Sequence, residues 1–168
     1  MDRLKFELIL RKENKKIFNY LLKILRNRED AEDILQDVFL SFYKKIENIN
    51  EQAYQSYLFR TAYNKALNLI KYKKKRNKLN YHVDNVENYS NNNPLKENNS
   101  QNELIIKALK QLSIKDATLI ELQFYQKKNY KEIANFFSTT ISAIDSRLVR
   151  AKKKLRQIIL QEMKKSNV

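Results

Sequence analysis

Residues 130–155, YKEIANFFSTTISAIDSRLVRAKKKL, contain two short helical patterns separated by only a few residues. The apolar residues of each pattern recur at spacings of three and four, so each predicted helix has one face to bury. Between the patterns lie Ser138, Thr139 and Thr140, whose hydroxyl groups can accept the first free backbone N–H groups of a following helix. Thr140 is the N-cap candidate, and the stretch predicts a helix-turn-helix.

The second predicted helix turns a polar face outward, and its N-terminal half is the part that enters a DNA major groove in such units. The candidate DNA-contacting residues are Thr140, Ser142, Ser146, Arg147 and Arg150. The alternative is a pair of ordinary packed helices with a solvated basic face. Ser138 occupies the position where the turn of these motifs usually carries Gly, although the chain has no Gly anywhere.

The composition of the 168 residues limits the classes of function that remain open. A formal net charge of +15 points to a polyanionic partner, either nucleic acid or an anionic membrane face. The chain has no Cys and only His82 as a histidine, which argues against disulfides, zinc fingers and His-based acid–base chemistry. The sequence also has no metal-ligand cluster, nucleophile–base set or Gly-rich phosphate loop, so we expect no metal, no cofactor and no enzymatic activity.

The sequence also bears on location. No run approaches the roughly 18 apolar residues of a membrane span, and the N-terminus MDRLKFELIL lacks the apolar core and cleavage site of a signal peptide. These features predict a cytoplasmic protein that is not inserted in a membrane.

The N-terminal half carries three helical patterns, over 4–26, 30–45 and 53–75. The second has a continuous apolar stripe that should face a core. Its opposite side carries a strip formed by Asp33, Gln36, Asp37 and Leu40. A solvated face would explain the carboxylates but not the Leu, so a protein-binding strip is the competing interpretation.

The third helical pattern carries a polar, cationic stripe at near-helical spacing. Its candidate nucleic-acid ligands are Arg60, Asn64, Lys65, Asn68, Lys71 and Lys73. Between Arg60 and Lys78 there is no acidic residue, which suits a phosphate backbone. The interleaved Asn amides and Tyr rings can also hydrogen-bond to or stack on unpaired bases. A basic, solvated helix end is the alternative.

Residues 77–102 have no apolar period and are rich in Asn, which predicts a flexible linker. Two domains follow from it, 1–76 and 103–168. The second is predicted to open with a helix over 103–112 and another, capped by Ser113, that runs to near Tyr125; both pack under the helix-turn-helix. The predicted fold class is all-α: two small helical domains joined by a flexible linker, the C-terminal one a helix-turn-helix.

Several motifs resemble those of one known family. DAEDILQDVF at residues 30–39 resembles the second conserved region of sigma-70 superfamily factors, and YLFRTAYN at 57–64 resembles its continuation into the segment that handles the minus-ten promoter element. KEIA at 131–134 and SRLVRA at 146–151 resemble the fourth region, which reads the minus-thirty-five element. The length of the chain and the missing intermediate region resemble the extracytoplasmic-function (ECF) group of alternative sigma factors.

This resemblance implies a protein that binds core RNA polymerase, directs it to promoters and helps to open the DNA. The strip Asp33, Gln36, Asp37 and Leu40 would then dock on polymerase. The stripe on the third helix, with the 48–52 loop, would meet the minus-ten element, and the helix-turn-helix the minus-thirty-five element. An anti-sigma factor is a further candidate partner.

Three residues depart from the family pattern. Tyr57 stands where the family often has Trp, Asn68 where many members have Asp, and Asp145 where a basic residue is common in the recognition helix. A carboxylate near phosphates is unfavourable unless it accepts from a cytosine amino group or pairs with a neighbouring Arg. The role of Asp145 is thus left open by the sequence.

Two other functions fit parts of the pattern. A helix-turn-helix regulator that acts without replacing sigma would explain the C-terminal domain but not the strip or the basic helix. A basic RNA-binding protein would explain the charge, and a preference for RNA over promoter DNA would distinguish it.

Overall fold

In the computed structural model the described residues are 3–79 and 100–166, and every regular element within them is helical. The chain divides into two compact units, Met1–Asn93 and Pro94–Val168. The predicted all-α class and the C-terminal helix-turn-helix are confirmed. None of the described helices combines the length and the apolar character that a bilayer span requires.

The first unit packs three long helices against one another in pairs. They are α1 (Arg3–Leu25), α2 (Arg28–Tyr43) and α3 (Tyr54–Leu79), with a short 3-10 turn at Ile46–Asn48. Their apolar stripes meet in a core that fully buries Tyr20, Leu21, Phe42 and Leu58. Burial of these large side chains holds the three helices together, because apolar area removed from water is the dominant favourable term in folding.

The turn between α1 and α2 explains why α2 begins at Arg28, two residues before the predicted start. Arg26 adopts a left-handed conformation with φ of 61°, which ends α1. Asn27 then caps α2, and its side-chain oxygen accepts from the backbone N–H of Asp30 at 2.8 Å. Glu29 and Asp30 fall in the first turn of α2, where carboxylates complement the helix dipole.

The helices that flank the predicted linker extend into it. α3 continues to Leu79, three residues into the 77–102 stretch, and α4 begins at Ser100, three residues before the predicted start. No Gly or Pro occurs in 77–79 or 100–102 to stop a helix. The remaining predicted linker, 80–99, lies outside the described residues.

The second unit is built around its last helix. Its elements are α4 (Ser100–Gln111), α5 (Ile114–Ile120), a π-helical turn (Glu121–Tyr125), α6 (Tyr130–Phe137) and α7 (Ile141–Ser166). α4, α5 and α6 each pack against α7, and the core buries Leu119, Ile133, Ile144 and Leu148 completely or almost so. The predicted cap Ser113 is confirmed, because its hydroxyl accepts from the backbone N–H of Asp116 at 3.2 Å.

The π-helical turn is a departure from the continuous helix that the sequence predicts up to Tyr125. The backbone N–H of Gln126 donates to the carbonyl of Glu121 at 3.1 Å, five residues back, so this hydrogen bond encloses one residue more than an α-helical one does. Lys127 follows with φ of 52°, and Asn129 starts α6. At this π-helical turn the chain leaves the axis of α5 and leads into the helix-turn-helix.

The helix-turn-helix is fixed by local hydrogen bonds at both of its helix starts. Asn129 and Glu132 form a capping box with two reciprocal bonds of 2.9 Å, and Lys128 also donates to Glu132. The N–H of Asn129, and then Lys128, lower the pKa of the Glu132 carboxyl. Ser138, the residue in the usual Gly position, is left-handed with φ of 51°, and Thr140 accepts from the N–H of Ala143 at 3.2 Å. The predicted N-cap is thereby confirmed.

Candidate functional site

The strip predicted on α2 is exposed along its whole length. Its four members, Asp33, Gln36, Asp37 and Leu40, all face solvent. The opposite side of the helix buries Val38 and Phe42 completely. Leu40 is 53% exposed, and Tyr43, one turn further on, is 56% exposed. The acidic strip therefore ends in an apolar patch, which the sequence indicated only through Leu40.

The strip is connected to the third helix by an ion pair. Lys65 Nζ of α3 donates to Asp37 Oδ2 at 3.1 Å, and both side chains remain partly exposed. One residue from the predicted polymerase surface thus contacts one from the predicted minus-ten surface. The two candidate surfaces adjoin in the first unit.

A groove of about 430 Å³ lies beside this ion pair, between the end of α2 and α3. It is lined by Ser41, Lys44, Lys45, Tyr57, Arg60, Thr61, Asn64, Lys65 and Asn68. Four of these are cations and none is acidic, so the groove suits a polyanion with groups that can hydrogen-bond or stack. We call it the basic groove.

Four of the six residues predicted on α3 meet in the basic groove, and two lie outside it. Arg60, Asn64, Lys65 and Asn68 line it. Lys71 is exposed further along the helix. Lys73 is held by Asp30 of α2, with Nζ and Oδ2 2.5 Å apart. In the free protein Lys73 therefore braces α2 against α3, which differs from the phosphate contact predicted for it.

Sequence reasoning missed Lys44 and Lys45, which line the groove and directly follow the last residue of α2. The sequence signal for them was the pair of cations directly after the last apolar turn of α2, followed by a short connection that must return the chain toward α3.

Side chains of α1 contact the 48–52 loop and the start of α3. Lys5 donates to Glu51 and lowers the pKa of that carboxyl, while Gln55 Nε2 donates to the fully buried Glu13 at 3.3 Å.

The outward side of α7 presents fewer cations than the sequence predicts. Ser142, Ser146 and Arg150 are exposed, and Arg150 Nε donates to the carbonyl of Ser146 at 3.3 Å. Arg147 instead turns toward α5, where Nε donates to Asp116 Oδ1 at 2.8 Å. The side chains of this pair are only 33% and 18% exposed. Arg147 thus ties α7 to α5, which differs from the base-reading position predicted for it.

The structure shows two features of the α7 surface, exposed apolar side chains and an exposed carboxylate. Ile141 and Val149 are 51% and 61% exposed, so apolar groups adjoin the serines. Asp145 is also exposed, and no described residue forms an ion pair or hydrogen bond with its carboxylate. We call Ser142, Asp145, Ser146, Val149 and Arg150 the recognition face.

The second unit also has an apolar groove of about 410 Å³, which the sequence analysis did not anticipate. Its lining residues are Ile105, Leu109, Ile120, Phe124, Tyr125, Lys152, Leu155, Arg156, Ile159 and Leu160. Phe124 and Tyr125 are more than half exposed, and Lys152 lies over the Phe124 ring at 5.2 Å. Spacing along one helix does not reveal where a neighbouring helix leaves a gap, so helical periodicity could not place this groove.

The described residues form an all-helical protein with a helix-turn-helix in one unit and, in the other, a basic groove beside an acidic, partly apolar strip. Two family models match the chain, the sigma-70 region 2 model over residues 9–76 and the sigma-70 region 4 model over residues 102–155. The chain belongs to the sigma-70 family, as a member of its ECF type. It is an alternative sigma factor, which binds core RNA polymerase and directs promoter-specific initiation of transcription.

Known proteins agree with this assignment over nearly the whole chain. RNA polymerase sigma-H factor of Pseudomonas aeruginosa is 22% identical over 175 residues, covering 96% of this chain and 91% of the relative. ECF RNA polymerase sigma-E factor of Haemophilus influenzae is 24% identical, with 94% and 89% covered. Among the alternatives that the sequence left open, these matches select the sigma factor.

Two solved structures share the fold. The sigma factor RpoE in complex with the anti-sigma factor NepR from Bartonella quintana has a TM-score of 0.76 at 19% identity, covering 92% of this chain and 96% of that one. CnrH in complex with the cytosolic domain of CnrY has a TM-score of 0.67 at 16% identity, covering 94% and 89%.

Proposed function

We propose that the acidic strip, together with Tyr43, is the surface by which this sigma factor docks on core RNA polymerase. The observation that carries the proposal is the exposure of two large apolar side chains, Leu40 and Tyr43, on the side of α2 opposite its fully buried face. Exposed apolar groups beside charged ones are typical of protein-binding surfaces, where a few anchors supply most of the binding free energy.

Co-purification with core polymerase tests this docking surface. Replacing Gln36 and Leu40 by Ala leaves the core of α2 and the Asp37–Lys65 pair intact, so helical content and melting temperature should stay those of the parent. Loss of an anchor commonly costs about 2 kcal/mol, a roughly thirtyfold weaker complex. Leu8→Ala is the matched control, since Leu8 is a 69% exposed Leu on α1. If the double variant binds polymerase as well as the control does, the strip is a solvated face.

The basic groove is proposed to take unpaired bases of the minus-ten element. The Asn64 and Asn68 amides supply donors and acceptors for base edges, and the Tyr57 ring offers a stacking surface. Arg60 and Lys65 supply charge for the phosphates, with Lys44 and Lys45 opposite them across the groove. Lys71 lies beyond the groove in a position to extend the phosphate contacts.

The recognition face is proposed to read the minus-thirty-five element. Ser142, Ser146 and Arg150 are exposed near the N-terminal half of α7, the part of such helices that contacts base edges. Thr140 holds the start of that helix through its cap. Arg147 is assigned a positioning role through Asp116, which replaces the base contact expected from sequence.

The proposed function requires binding and DNA opening alone, so no residue is assigned covalent chemistry. The proposed location is the cytoplasm, because core polymerase and promoter DNA are found there. An anti-sigma factor is a proposed regulator, since the RpoE structure with the matching fold is a complex with one. The apolar groove, with Phe124 and Tyr125 at its rim, supports an apolar contact of this kind.

A further inference from the structure

Asp145 lies on the recognition face, in the second turn of α7. Its carboxylate is exposed, while Ile144 and Leu148 of the same helix are buried. In a chain with a net charge of +15, this is an anion at the surface proposed to meet DNA phosphates. A carboxylate in that position weakens DNA binding unless a donor on the DNA compensates for it.

No cation of α7 neutralises this carboxylate within the helix. The residues three and four positions away are Ile141, Ser142, Leu148 and Val149, none of which is charged. The two nearby arginines are directed elsewhere. Arg147 is paired with Asp116 at 2.8 Å, and Arg150 Nε donates to the Ser146 carbonyl at 3.3 Å. The sequence left two ways to accommodate Asp145, and the first is a pair with a neighbouring Arg. Both nearby arginines have other partners, so this pair does not form.

The remaining way is a donor on a base edge, and the bases differ in what they offer. In the major groove cytosine presents its N4 amino group as a donor, with only a C–H beside it. Adenine presents its N6 amino group beside the N7 acceptor, which repels a carboxylate oxygen. Guanine and thymine present acceptors at the corresponding positions. A carboxylate therefore distinguishes cytosine from the other three bases.

We propose that Asp145 is a specificity-determining residue that accepts a hydrogen bond from the N4 amino group of a cytosine in the minus-thirty-five element. The proposal rests on the proposed function of the recognition face. The family commonly has a basic residue at this position. In this chain the Asp at the same position would set a different base preference.

The test uses the full chain bound to core polymerase and promoter fragments with a randomised minus-thirty-five element. We expect the parent to select cytosine at one position on one strand by about tenfold. Asp145→Ala should lose the preference at that position alone. Asp145→Asn should move it to adenine, because an amide can both accept from N6 and donate to N7.

Glu162→Gln is the charge-matched control. It removes the same single negative charge from α7, about 26 Å further along the helix at 1.5 Å per residue. Its selected sequences should match those of the parent. A second measurement replaces the selected cytosine by 2-pyrimidinone, which lacks the amino group. This base should weaken the parent about tenfold and leave Asp145→Ala unaffected.

Two outcomes would overturn the role of Asp145 while leaving the proposed function intact. One is an Asp145→Ala variant with the parent's base preferences; the other is a variant that binds every sequence more tightly by the same factor, as expected from removing a repulsive charge. If the parent instead selects no bases in the minus-thirty-five element, the proposed function of the recognition face fails, and the role of Asp145 fails with it.

Discussion

The two units present different chemistry to the partners proposed for them. The basic groove of the first unit is lined by four cations and no carboxylate. The recognition face of the second unit has one exposed Arg, two Ser, a Val and a carboxylate. Four cations make binding in the groove depend strongly on salt, even where its Asn and Tyr side chains meet bases, whereas a face with little charge must rely mainly on contacts to base edges. Net charge alone therefore does not locate sequence reading in this protein.

The units also use their ion pairs differently. Asp37–Lys65 in the first unit has an Asp side chain that is 57% exposed, whereas in Asp116–Arg147 of the second unit neither side chain is more than 33% exposed. An exposed pair contributes little stability and exchanges partners easily, but a less solvated one is costly to break. The first pair can release its Lys to DNA, while the second holds helices in place.

The largest effect is expected from removing charge from the basic groove. Replacing Lys44 and Lys45 by Ala should remove two phosphate contacts, which lowers the logarithmic salt slope for single-stranded DNA by about 1.4. At 0.1 M salt this corresponds to roughly 25-fold weaker binding of the holoenzyme to a minus-ten single strand. Arg11 and Lys15, exposed on α1, provide a control with the same loss of charge. Equal losses from both double variants would mean that total charge matters and the groove does not.

Breaking the second unit's ion pair should cost stability. Asp116→Ala leaves Arg147 without its partner at a partly buried site, and we expect a loss of about 1–2 kcal/mol in the free energy of unfolding. Asp37→Ala in the first unit should change stability by less than about 0.5 kcal/mol. It should also strengthen binding to the minus-ten single strand when the holoenzyme is assembled with excess core polymerase, because Lys65 gains freedom to contact phosphate. Urea unfolding and strand binding measure the two effects. Comparable losses of stability from both variants would show that the two ion pairs do not differ in their contribution to folding.

A smaller effect is expected at the left-handed residues that end helices in both units. Ser138→Gly removes a steric cost of about 1–2 kcal/mol and adds about 0.5–1 kcal/mol of unfolded-state entropy. The net gain lies between about 0 and 1.5 kcal/mol, visible as a melting temperature up to a few degrees higher. Arg26→Gly is the equivalent change in the first unit, with φ of 61° against 51°. A lower melting temperature for both would show that their side chains contribute more than the backbone strain costs.

The smallest effect concerns pH and the cap of α6. Because the N–H of Asn129 and Lys128 lower the pKa of Glu132 below its ordinary value, the charged carboxylate stabilises the folded state. This contribution is fully present above the ordinary pKa and is lost as pH falls through the lowered one. Glu132→Gln should therefore show a weaker decline in stability between pH 7 and pH 3 than the parent. The cap of α2 is the neutral amide of Asn27, so Asn27→Ala should lower stability without altering the pH dependence.

The sequence was sufficient for features that one helix determines by itself. The exposed strip on α2 and the Thr140 cap both follow from spacing along the chain and from local hydrogen bonding. The sequence did not predict which side chains on different helices form pairs. Arg147 and Asp116 are 31 residues apart and Lys73 and Asp30 are 43 apart, so periodicity placed both cations outward without revealing the carboxylates opposite them. The basic groove was found only in part for the same reason, because Lys44 and Lys45 come from the segment that follows α2 and not from α3.

The π-helical turn at Glu121–Tyr125 has a consequence for how this protein tolerates insertions and deletions. A single π turn is geometrically an α-helix that has accommodated one additional residue, which rotates everything after it by about 100°. Phe124 and Tyr125 lie at that turn, at the rim of the apolar groove. Deleting Gln123 would let the segment close as a regular α-helix and shift the register of both rings by one position. The groove thus depends on the number of residues in this segment as well as on their apolar character. A one-residue deletion here would disrupt the groove even though every lining side chain is retained.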